Sequence, residues 1–480
     1  MFSRKRLALL FVLATFALAI MPAAAQDPAN IAVWVAFGTE RLDWTTQKAA
    51  QFNAAFPQYN VTVEGGLTYE GLDDKIKLAA EQGTLPGIIH YNEVSTTIAR
   101  DSGNFKSIAD SLGDRTEVNG IALNPDDFVQ PVSAYYTLDG KFTSMPWNAS
   151  SSVMFSNMNI LKAAGVDTPP ATWADVEAAC EKIMAMDGHP TYCITFPNYG
   201  WFFEQWLAQQ NALFANNDNG RSARATEVVF NNDAGVATLT WLKGLYDKGY
   251  LYYSGKKDGD SWQTVDDAFL PGTEVAMAIY SSSDTAYYTN TGKANGFDVA
   301  ASRLPYNQDA EGGWTGNIIG GGSLWLVNGL TPEQEDGALT FLLWLTNTDN
   351  AAEWHQITGY FPIRQSSIDL LNSDAWYDEI AAGASDVWKA IDAISAAKGT
   401  NWFETNPNYI VAAQQVADSK ITPATQGAVM GAFPDIRSIV TTTIDKVLLT
   451  KDADPKTELD AAAADANKVL GEYEQLNAPA

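Results

Sequence analysis

The sequence contains few of the residues on which metal, redox and nucleophilic chemistry depend. Its 480 residues include only two cysteines and three histidines. His90, His189 and His355 lie far apart, and there is no His-Glu-x-x-His segment and no Cys/His cluster with zinc spacing. We therefore expect no metal centre and no cofactor. His355 falls inside a predicted helix beside Trp354, and we interpret it as structural.

Motifs for nucleotide binding and covalent catalysis are also missing. The Gly-Lys pairs that begin at Gly140, Gly255 and Gly292 are not followed by Ser or Thr, so no P-loop is present. There is no Gly-x-Ser-x-Gly elbow and no dinucleotide fingerprint. Residues 216–220 (NNDNG) look like part of a calcium loop, but Thr226 stands where a bidentate Glu is required, so we exclude that site. Any ATP hydrolysis linked to this protein is expected from a partner.

Basic residues are scarce. There are 30 Lys and Arg against 57 Asp and Glu, which gives a net charge of −27 at pH 7. Nucleic acids and anionic membranes bind to basic surfaces, so the composition argues against both partners. A chain of this length with 46% hydrophobic and 18% charged residues instead suits a folded globular protein of two or more domains.

Long apolar runs are confined to the N-terminus. Arg4, Lys5 and Arg6 precede an apolar run over residues 7–20, and residues 23–25 (AAA) offer a cleavage site. Residues 1–25 are therefore predicted to be a secretory signal peptide, with an uncleaved anchor as the alternative. No later run approaches the ~20 apolar residues that span a membrane. We expect a soluble mature chain in the periplasm or at the cell surface.

Export would place the two cysteines in an oxidising compartment. Cys180 and Cys193 are separated by a predicted helix-to-strand turn at residues 187–190. A disulfide and two buried thiols are both consistent with this spacing, because a disulfide requires a geometry that sequence does not give.

The N-terminal third alternates predicted strands and helices. Such alternation is typical of a parallel sheet with flanking helices, whose ligand crevice lies at the carboxyl ends of the strands. Tyr69, Asn92 and Glu93 fall at positions of that kind. The patterns indicate strands over residues 31–37, 61–63 and 88–91. Helices are indicated between them, over residues 44–56 and 72–80.

Two crossings divide the chain into two predicted lobes. Residues 142–152 lead from the first group of strands into a second, and residues 297–303 lead back. Several crossings in place of one linker favour a hinged clamp of α/β architecture, and a single large α/β domain is the alternative. The predicted lobes are residues 26–143 plus 298–346, and residues 144–297 plus 347–480.

The other elements of the chain are organised around a glycine-rich stretch. Residues 317–323 (NIIGGGS) precede an apolar run over residues 324–327, and three consecutive glycines let a backbone come close to another group. Thr331 and Gln334 predict a capping box at the start of a helix. A second helix ends at Gly359, before an aromatic loop. We predict an exposed glycine loop and an aromatic loop that together form a ligand cradle.

Several segments are similar to those of a known family. The sequence resembles family 1 of the extracellular solute-binding proteins of ABC importers, and within it the glycerol-3-phosphate-binding branch. The resemblance implies a two-lobe fold like that of maltose-binding protein and a small-molecule ligand between the lobes. It also implies a membrane permease with cytoplasmic ATPase subunits as partner, and we expect a monomer. The resemblance covers nearly the whole mature chain and is strongest at residues 146–148 (PWN), 318–327, 351–363 and 433–437 (FPDIR).

The resemblance also implies which residues contact the ligand. Glu93 can accept hydrogen bonds from glycerol hydroxyls, and Arg437 offers a planar fork of donors that matches phosphate oxygens. Serine hydroxyls and a glycine amide can add neutral donors. The positions that match the family's contacts are Tyr69, Glu93, Ser150, Trp201, Ser281, Gly321, Tyr360 and Arg437.

One position departs from the family pattern. The family holds its ligand between two tryptophans three residues apart; Trp201 matches the second, but Asn198 stands at the first, with Tyr199 beside it. The loss of one stacking face should weaken a small ligand more than a large one. We therefore expect a shift from glycerol-3-phosphate toward a glycerophosphodiester such as glycerophosphocholine, whose trimethylammonium group suits aromatic faces. The structural alternative places Trp201 and Trp206 in a helix core.

Two other functions stay open at this point. A binding protein for a neutral sugar or oligosaccharide would use tryptophans for stacking and carboxylates for hydroxyls, and Arg437 would be dispensable. A secreted glycosidase is the enzyme alternative, since 15 Trp and 57 acidic residues suit a sugar cleft. The missing catalytic motifs favour a protein that is not an enzyme.

Overall fold

The chain forms two β-sheets, each covered by helices. The computed structural model describes residues 27–373 and 402–477. The predicted signal peptide lies outside the described residues, as do residues 374–401 of the predicted second lobe. In chain order the strands are β1 Ala29–Trp34, β2 Tyr59–Glu64, β3 Ile88–Asn92, β4 Phe105–Lys106, β5 Glu117–Val118, β6 Ile121–Ala122, β7 Thr137–Leu138, β8 Lys141–Phe142, β9 Met145–Ser150, β10 Ser152–Asn157, β11 Tyr192–Thr195, β12 Leu251–Tyr252, β13 Val275–Ser281, β14 Val299–Arg303 and β15 Gly320–Val327.

Helices pack on both sheets and form the C-terminal end of the described chain. No helix within residues 27–373 and 402–477 combines the length and apolar character that crossing a bilayer requires. Short 3₁₀ turns lie at Glu93–Ser95, Pro125–Asp127, Asp258–Asp260 and Ser282–Asp284. The helices are α1 Thr39–Ala55, α2 Tyr69–Gln82, α3 Thr96–Asp101, α4 Ile108–Leu112, α5 Gln130–Tyr135, α6 Met158–Ala163, α7 Trp173–Met184, α8 Gly200–Gln209, α9 Asn216–Gly220, α10 Asp233–Asp247, α11 Ser261–Phe269, α12 Thr285–Ala294, α13 Pro332–Leu345, α14 Thr348–Thr358, α15 Gln365–Leu371, α16 Trp402–Thr405, α17 Pro407–Ala417, α18 Phe433–Leu449 and α19 Pro455–Asn477.

The first sheet has the order β2-β1-β3-β15-β4, with β9 paired to β15. β1 runs parallel to both β2 and β3, as the alternating strands and helices predict. β15 is antiparallel to β3 and to β9. The end of β3, where Asn92 precedes Glu93, therefore lies beside the start of β15.

The second sheet has the order β12-β11-β13-β10-β14. β11 is parallel to β12 and β13, while β10 is antiparallel to β13 and β14. A separate hydrophobic cluster accompanies this sheet, and α8 is buried along its whole length within it. Two separate sheets, each covered by helices, give the two-lobe arrangement that the sequence predicts.

Sheet membership differs from the predicted lobe boundaries at two strands. The prediction assigns β9 to the second lobe and β14 to the first, whereas β9 pairs in the first sheet and β14 in the second. The physical reason is that β9 and β10 are separated only by Ser151, so one nearly continuous extended segment serves both sheets. We therefore propose that the lobes divide at Ser151 and again after Arg303.

The helix that follows β15 begins as its sequence predicts. Thr331 accepts a hydrogen bond from the Gln334 amide, and the Gln334 side chain accepts one from the Thr331 amide, which completes the capping box. α14 ends at Gly359, whose positive φ of 93° is the left-handed conformation that glycine adopts without strain. The aromatic loop at Tyr360 therefore leaves the helix in a fixed direction.

The three glycines do not form the exposed loop that the sequence predicts. Gly320, Gly321 and Gly322 are the first residues of strand β15, paired with β9. Gly320 and Gly322 are buried. The stretch forms a strand because both of its edges find partners in β3 and β9.

The two cysteines form a disulfide. Cys180 of α7 is bonded to Cys193 of β11, with a sequence separation of 13. Both residues are fully buried in the cluster around the second sheet. Of the two possibilities that the sequence leaves open, the structure has the disulfide.

Removal of this disulfide is expected to destabilise the second lobe. A cross-link that closes a loop of this length restricts the unfolded chain by about 3 kcal/mol. The variant Cys180→Ala/Cys193→Ala should lose about that much free energy of unfolding in urea titrations under non-reducing conditions. The single variant Cys180→Ala breaks the same bond and serves as the matched control with a similar loss. A loss below about 1 kcal/mol in both variants would contradict the expectation.

Candidate functional site

A cleft between the two sheets is the candidate site. Its volume is about 310 Å³, near the lower end of the range for small-molecule pockets. Groups from both lobes form its walls, and the lining combines aromatic rings, serines, glycines and four charged side chains. The lining residues are Ala36, Phe37, Arg41, Thr68, Tyr69, Glu70, Asn92, Glu93, Ser150, Tyr199, Trp201, Gly259, Trp262, Tyr280, Ser281, Ser283, Asp284, Gly320, Gly321 and Tyr360.

Most of the residues that the resemblance implies as ligand contacts line this cleft. Seven of them do so although they come from strands β9, β13 and β15, the turn after β3, two helices and a loop: Tyr69, Glu93, Ser150, Trp201, Ser281, Gly321 and Tyr360. Arg437 does not line the cleft; it lies behind Glu93 and is 5% exposed. The roles of all eight residues in ligand binding stay predictions.

Tyr69 is held by a buried hydrogen-bond network. The Ala36 amide donates to His90 Nδ1, so His90 Nε2 carries the proton and donates to Asn148 Oδ1 at 2.8 Å. Asn148 Nδ2 in turn donates to the Tyr69 hydroxyl at 2.9 Å. Burial lowers the pKa of His90 to about 3, so its imidazole stays neutral. His90 thus orients a cleft residue and does not titrate near neutral pH.

The three glycines allow close contacts that any side chain would block. A Cβ at Gly320 would lie 2.6 Å from the Trp201 ring, and one at Gly322 would lie 2.4 Å from His90 Nε2. Gly321 has a φ of 104°, and a Cβ there would lie 1.9 Å from the Asn148 carbonyl oxygen. The sequence predicts that the backbone of this stretch comes close to other groups, and those groups are the Trp201 ring, the His90 ring and the Asn148 carbonyl.

Trp201 closes one side of the cleft at the start of α8. Its Nε1 donates to the Ile319 carbonyl oxygen at 3.2 Å, and the ring lies against the Gly320 backbone. Only 3% of the residue is exposed. Trp206, one and a half turns further along α8, is fully buried in the second core and does not line the cleft. The two tryptophans therefore differ in position: one borders the cleft and the other packs the core.

The serines lie where extended segments of the two sheets meet. Ser150 ends β9, and Ser152 pairs with Ser281 across the second sheet. The Ser281 hydroxyl accepts a hydrogen bond from the Ser283 amide at 3.2 Å, which caps the turn after β13. The Ser151 amide donates to Ser282 Oγ at 3.1 Å. This crossing brings hydroxyl groups from both lobes to one wall of the cleft.

Tyr360 is fixed from behind by the neighbouring helix. His355 Nδ1 donates to the Tyr360 carbonyl oxygen at 2.7 Å, and the Trp354 and Tyr360 rings stack 5.8 Å apart. Burial lowers the pKa of His355 to about 4. A neutral imidazole that holds a loop agrees with the structural interpretation of His355.

A buried three-residue ion cluster joins the lobes beside the cleft. Arg437 of α18 donates from Nε to Glu204 Oε1 at 2.5 Å and from Nη2 to Glu93 Oε1 at 2.8 Å. All three side chains are nearly inaccessible to solvent. Burial raises the pKa of Glu93 and of Glu204, and the charge of Arg437 opposes that rise. Glu93 therefore reaches the cleft with one oxygen already fixed by Arg437.

Asn198, where the resemblance implies a family tryptophan, does not line the cleft. Its Nδ2 donates to the Tyr253 hydroxyl and to the Thr441 carbonyl oxygen, each at 2.9 Å. Tyr199 and Trp262 line the cleft instead, with ring centroids 5.4 Å apart. Two aromatic faces are thus available near Trp201.

Several cleft residues are not among the predicted contacts. Trp262 belongs to no recognisable motif. Arg41 and Asp284 are 243 residues apart in sequence, so no local pattern predicts that they form a pair. An aromatic residue in a helix with a strongly apolar face gives no signal that separates a ligand contact from a core position. The residues missed in this way are Phe37, Arg41, Glu70, Trp262, Tyr280 and Asp284.

Loss of Arg437 is expected to destabilise the protein in a pH-dependent way. Arg437→Met leaves Glu93 and Glu204 buried without a counter-charge, which costs about 3–5 kcal/mol. Both pKa values then rise further above the unfolded value, so the folded state favours the protonated forms. A carboxyl group whose pKa is raised in the folded state stabilises the fold fully at low pH and loses this contribution as pH rises. The loss of free energy of unfolding in Arg437→Met, measured by urea titration, should therefore be larger at pH 8 than at pH 4.

Arg303→Met is the matched control for this experiment. Arg303 pairs with Asp418 at the surface, where both side chains are more than two-fifths exposed. Exposed pairs contribute about 0–1 kcal/mol, so this variant should unfold almost as the parent does at both pH values. Equal deficits for Arg437→Met at pH 4 and pH 8 would contradict the role assigned to the cluster.

Comparisons with known proteins give relatives that match almost the whole chain. The sn-glycerol-3-phosphate-binding periplasmic protein UgpB of Escherichia coli O1:K1 is 29% identical over 463 residues, covering 95% of this chain and 96% of the relative. UgpB of Shigella flexneri is 29% identical over 460 residues, covering 94% of each chain. These relatives are described as periplasmic binding proteins.

Solved structures share the fold at low sequence identity. UgpB from Mycobacterium tuberculosis in complex with glycerophosphocholine has a TM-score of 0.69 and 18% identity, covering 92% of this chain and 99% of that one. The sugar-binding protein MalE from Xanthomonas citri has a TM-score of 0.70 and 14% identity, covering 93% and 99%. These similarities confirm the predicted two-lobe, maltose-binding-protein-like fold.

A family model connects the fold to a function class. The model described as bacterial extracellular solute-binding protein matches residues 47–384, which include most of both sheets and most of the cleft-lining residues. The predicted resemblance is confirmed by this match and by the near-full-length relatives. The chain belongs to the bacterial extracellular solute-binding proteins.

Proposed function

We propose that the protein captures a glycerol phosphate compound between its two lobes and delivers it to an ABC importer. The observation that carries this proposal is the cleft itself, which gathers seven of the eight predicted ligand contacts from both lobes. The ligand class is supported by the near-full-length similarity to sn-glycerol-3-phosphate-binding proteins. Glycerophosphodiesters such as glycerophosphocholine are the preferred members of that class.

The cleft chemistry supports a ligand with hydroxyl, phosphate and apolar or cationic parts. Glu93 can accept hydrogen bonds from glycerol hydroxyls, and Ser150 and Ser281 offer further hydroxyl donors in the lining. Tyr199 and Trp262 present aromatic faces near the exposed carboxylate of Glu70. A quaternary ammonium group gains from such faces and from a nearby negative charge.

Lobe closure is the proposed mechanism of capture. Ligand contacts from both lobes stabilise the closed arrangement relative to the open one, because only the closed arrangement makes all of them. The segment around Ser151 and the crossing after Arg303 are the proposed hinge. The Arg437–Glu93 pair joins the lobes on one side of the cleft, at 2.8 Å.

The remaining parts of the proposal concern the protein's context. We propose that it is exported through the signal peptide at residues 1–25, that it acts as a monomer, and that it presents its ligand to a membrane permease with cytoplasmic ATPase subunits. It carries out no chemical step on the ligand. The periplasmic description of the relatives supports the compartment.

A neutral sugar is the second candidate ligand. The observation that favours it is the set of three carboxylates that line the cleft, since carboxylates accept hydrogen bonds from sugar hydroxyls. Several structural neighbours are described as sugar-binding proteins. The carboxylates in question are Glu70, Glu93 and Asp284.

Calorimetric titration of residues 26–480 with glycerophosphocholine, glycerol-3-phosphate and maltose tests the proposed ligand. We expect saturable binding of both phosphate compounds, tighter for glycerophosphocholine, and no binding of maltose. Binding of maltose alone would replace the proposed ligand with a sugar. Tight binding of glycerol-3-phosphate with no binding of the diester would contradict the predicted preference.

The variant Trp262→Ala tests the source of that preference. Stacking on a cation contributes about 0.5–2 kcal/mol, so the variant should bind glycerophosphocholine about 2–30-fold more weakly and change glycerol-3-phosphate binding less. Trp241→Ala is the matched control, because Trp241 is buried against Trp173 away from the cleft. An equal loss for both ligands in Trp262→Ala would show that the ring packs the lobe and does not select the headgroup.

A further inference from the structure

The predicted phosphate partner, Arg437, is already occupied by protein groups. Its Nε and Nη2 donate to two carboxylates, those of Glu204 and Glu93. Its Nη1 is buried and has no hydrogen-bond partner, but the side chain does not reach the lining of the cleft, so a ligand there does not meet this donor. A cation that faces two carboxylates has little net attraction left for a phosphate.

Arg41 is the one cationic side chain that lines the cleft among the described residues. It lies in the first turn of α1, with 20% of its side chain exposed. Its guanidinium carbon lies 5.6 Å from the centroid of the Phe37 ring and 5.2 Å from that of the Tyr360 ring. The guanidinium therefore lies close to two aromatic rings at the cleft wall.

The guanidinium of Arg41 retains unused hydrogen-bond donors. Nη2 donates to the Ser283 carbonyl oxygen at 3.1 Å and to Asp284 Oδ1 at 2.8 Å, across the cleft. Nε is buried and has no partner, and no hydrogen bond from Nη1 is present within residues 27–373 and 402–477. A buried donor without a partner is unfavourable, so an acceptor that reaches this group would be stabilised.

We propose that Arg41 binds the phosphate of the solute, with Asp284 as its counter-ion when no solute is bound. This assignment rests on the proposed function and identifies the group that selects for an anion. Arg437 then acts as a positioning residue that holds Glu93 and joins the lobes. The planar fork of an arginine can donate to two phosphate oxygens at once. The ion pair with Asp284 uses only Nη2 of Arg41, so the fork is not fully used by Asp284.

Asp284 competes with the ligand in this arrangement. A phosphate bound to Arg41 lies close to the Asp284 carboxylate, and like charges repel. Asp284 Oδ2 also accepts a hydrogen bond from the Ser283 hydroxyl at 2.7 Å, so the carboxylate is held near the site. The two members of one ion pair are therefore expected to affect anion binding with opposite signs.

The test measures glycerophosphocholine binding by calorimetry in variants of both residues. Arg41→Met should weaken binding at least ~10-fold, because it removes charge-assisted hydrogen bonds. Arg41→Lys should retain part of the affinity, since it keeps the charge without the fork. Asp284→Asn should strengthen binding, about 3-fold or more, because it removes the repulsion. Arg115→Met, whose ion pair with Asp336 lies outside the cleft, is the matched control and should bind as the parent does.

The alternative role for the pair is a latch that only holds the lobes together. A latch predicts that Arg41→Met and Asp284→Asn weaken binding by similar factors and lower the melting temperature alike, and that result would overturn the proposal. Unchanged binding in Arg41→Met would also overturn it, while leaving the proposed function intact. Failure of the parent protein to bind any phosphate compound would overturn both. If Arg41→Met does not fold, the opposite shifts in Arg41→Lys and Asp284→Asn decide the question.

Discussion

The close approach of backbone and side chains at Gly320–Gly322 is the constraint on which the cleft depends. These residues pair with β9 on one side, and Gly322 also pairs with the end of β3. Without side chains, the strand admits the Trp201 ring from the second lobe and the His90–Asn148 network from the first. Any Cβ here would move at least one of these groups, because each lies closer than a carbon atom can approach. The start of β15 therefore contacts groups from both lobes, and it holds together a site whose residues are distant in sequence.

Buried charge forms a second connection between the lobes. Arg437 comes from the C-terminal region, Glu204 from α8 and Glu93 from the turn that follows β3, so the cluster exists only when both lobes are in place. A buried ion cluster gains little net stability over apolar packing, yet loss of one member is costly. Its effect here is geometric, because it fixes the orientation of Glu93 at the cleft. The same cluster neutralises Arg437 and so changes which arginine is available to a ligand.

The sequence predicts the elements of this protein better than it predicts their contacts. The parallel strands β1, β2 and β3, the capping box at Thr331 and the C-cap at Gly359 all follow from local patterns that do not depend on the rest of the chain. The glycine stretch is wrong as an exposed loop, because its strand character comes from partners in β3 and β9 that lie far away in sequence. The sheet membership of β9 and β14 differs from the predicted lobe boundaries for a similar reason, since β9 and β10 continue through Ser151. Arg41 and Asp284 could not be paired from sequence at all, because 243 residues separate them.

The balance of charge in the cleft bears on the kind of ligand it accepts. One arginine and three carboxylates line it, so the site is not built for a ligand with two negative charges. A phosphate monoester carries nearly two at neutral pH. A phosphodiester carries one, and a choline group adds a positive charge that can lie over Tyr199 and Trp262 near Glu70. The carboxylates that disfavour a dianion thus favour the cationic end of a zwitterion. In the proposed arrangement, Arg41 binds the phosphate at its anionic end. Asn198, where the resemblance implies a tryptophan, and the charge of the cleft are independent features of this chain, and both support the proposed preference for a glycerophosphodiester over glycerol-3-phosphate.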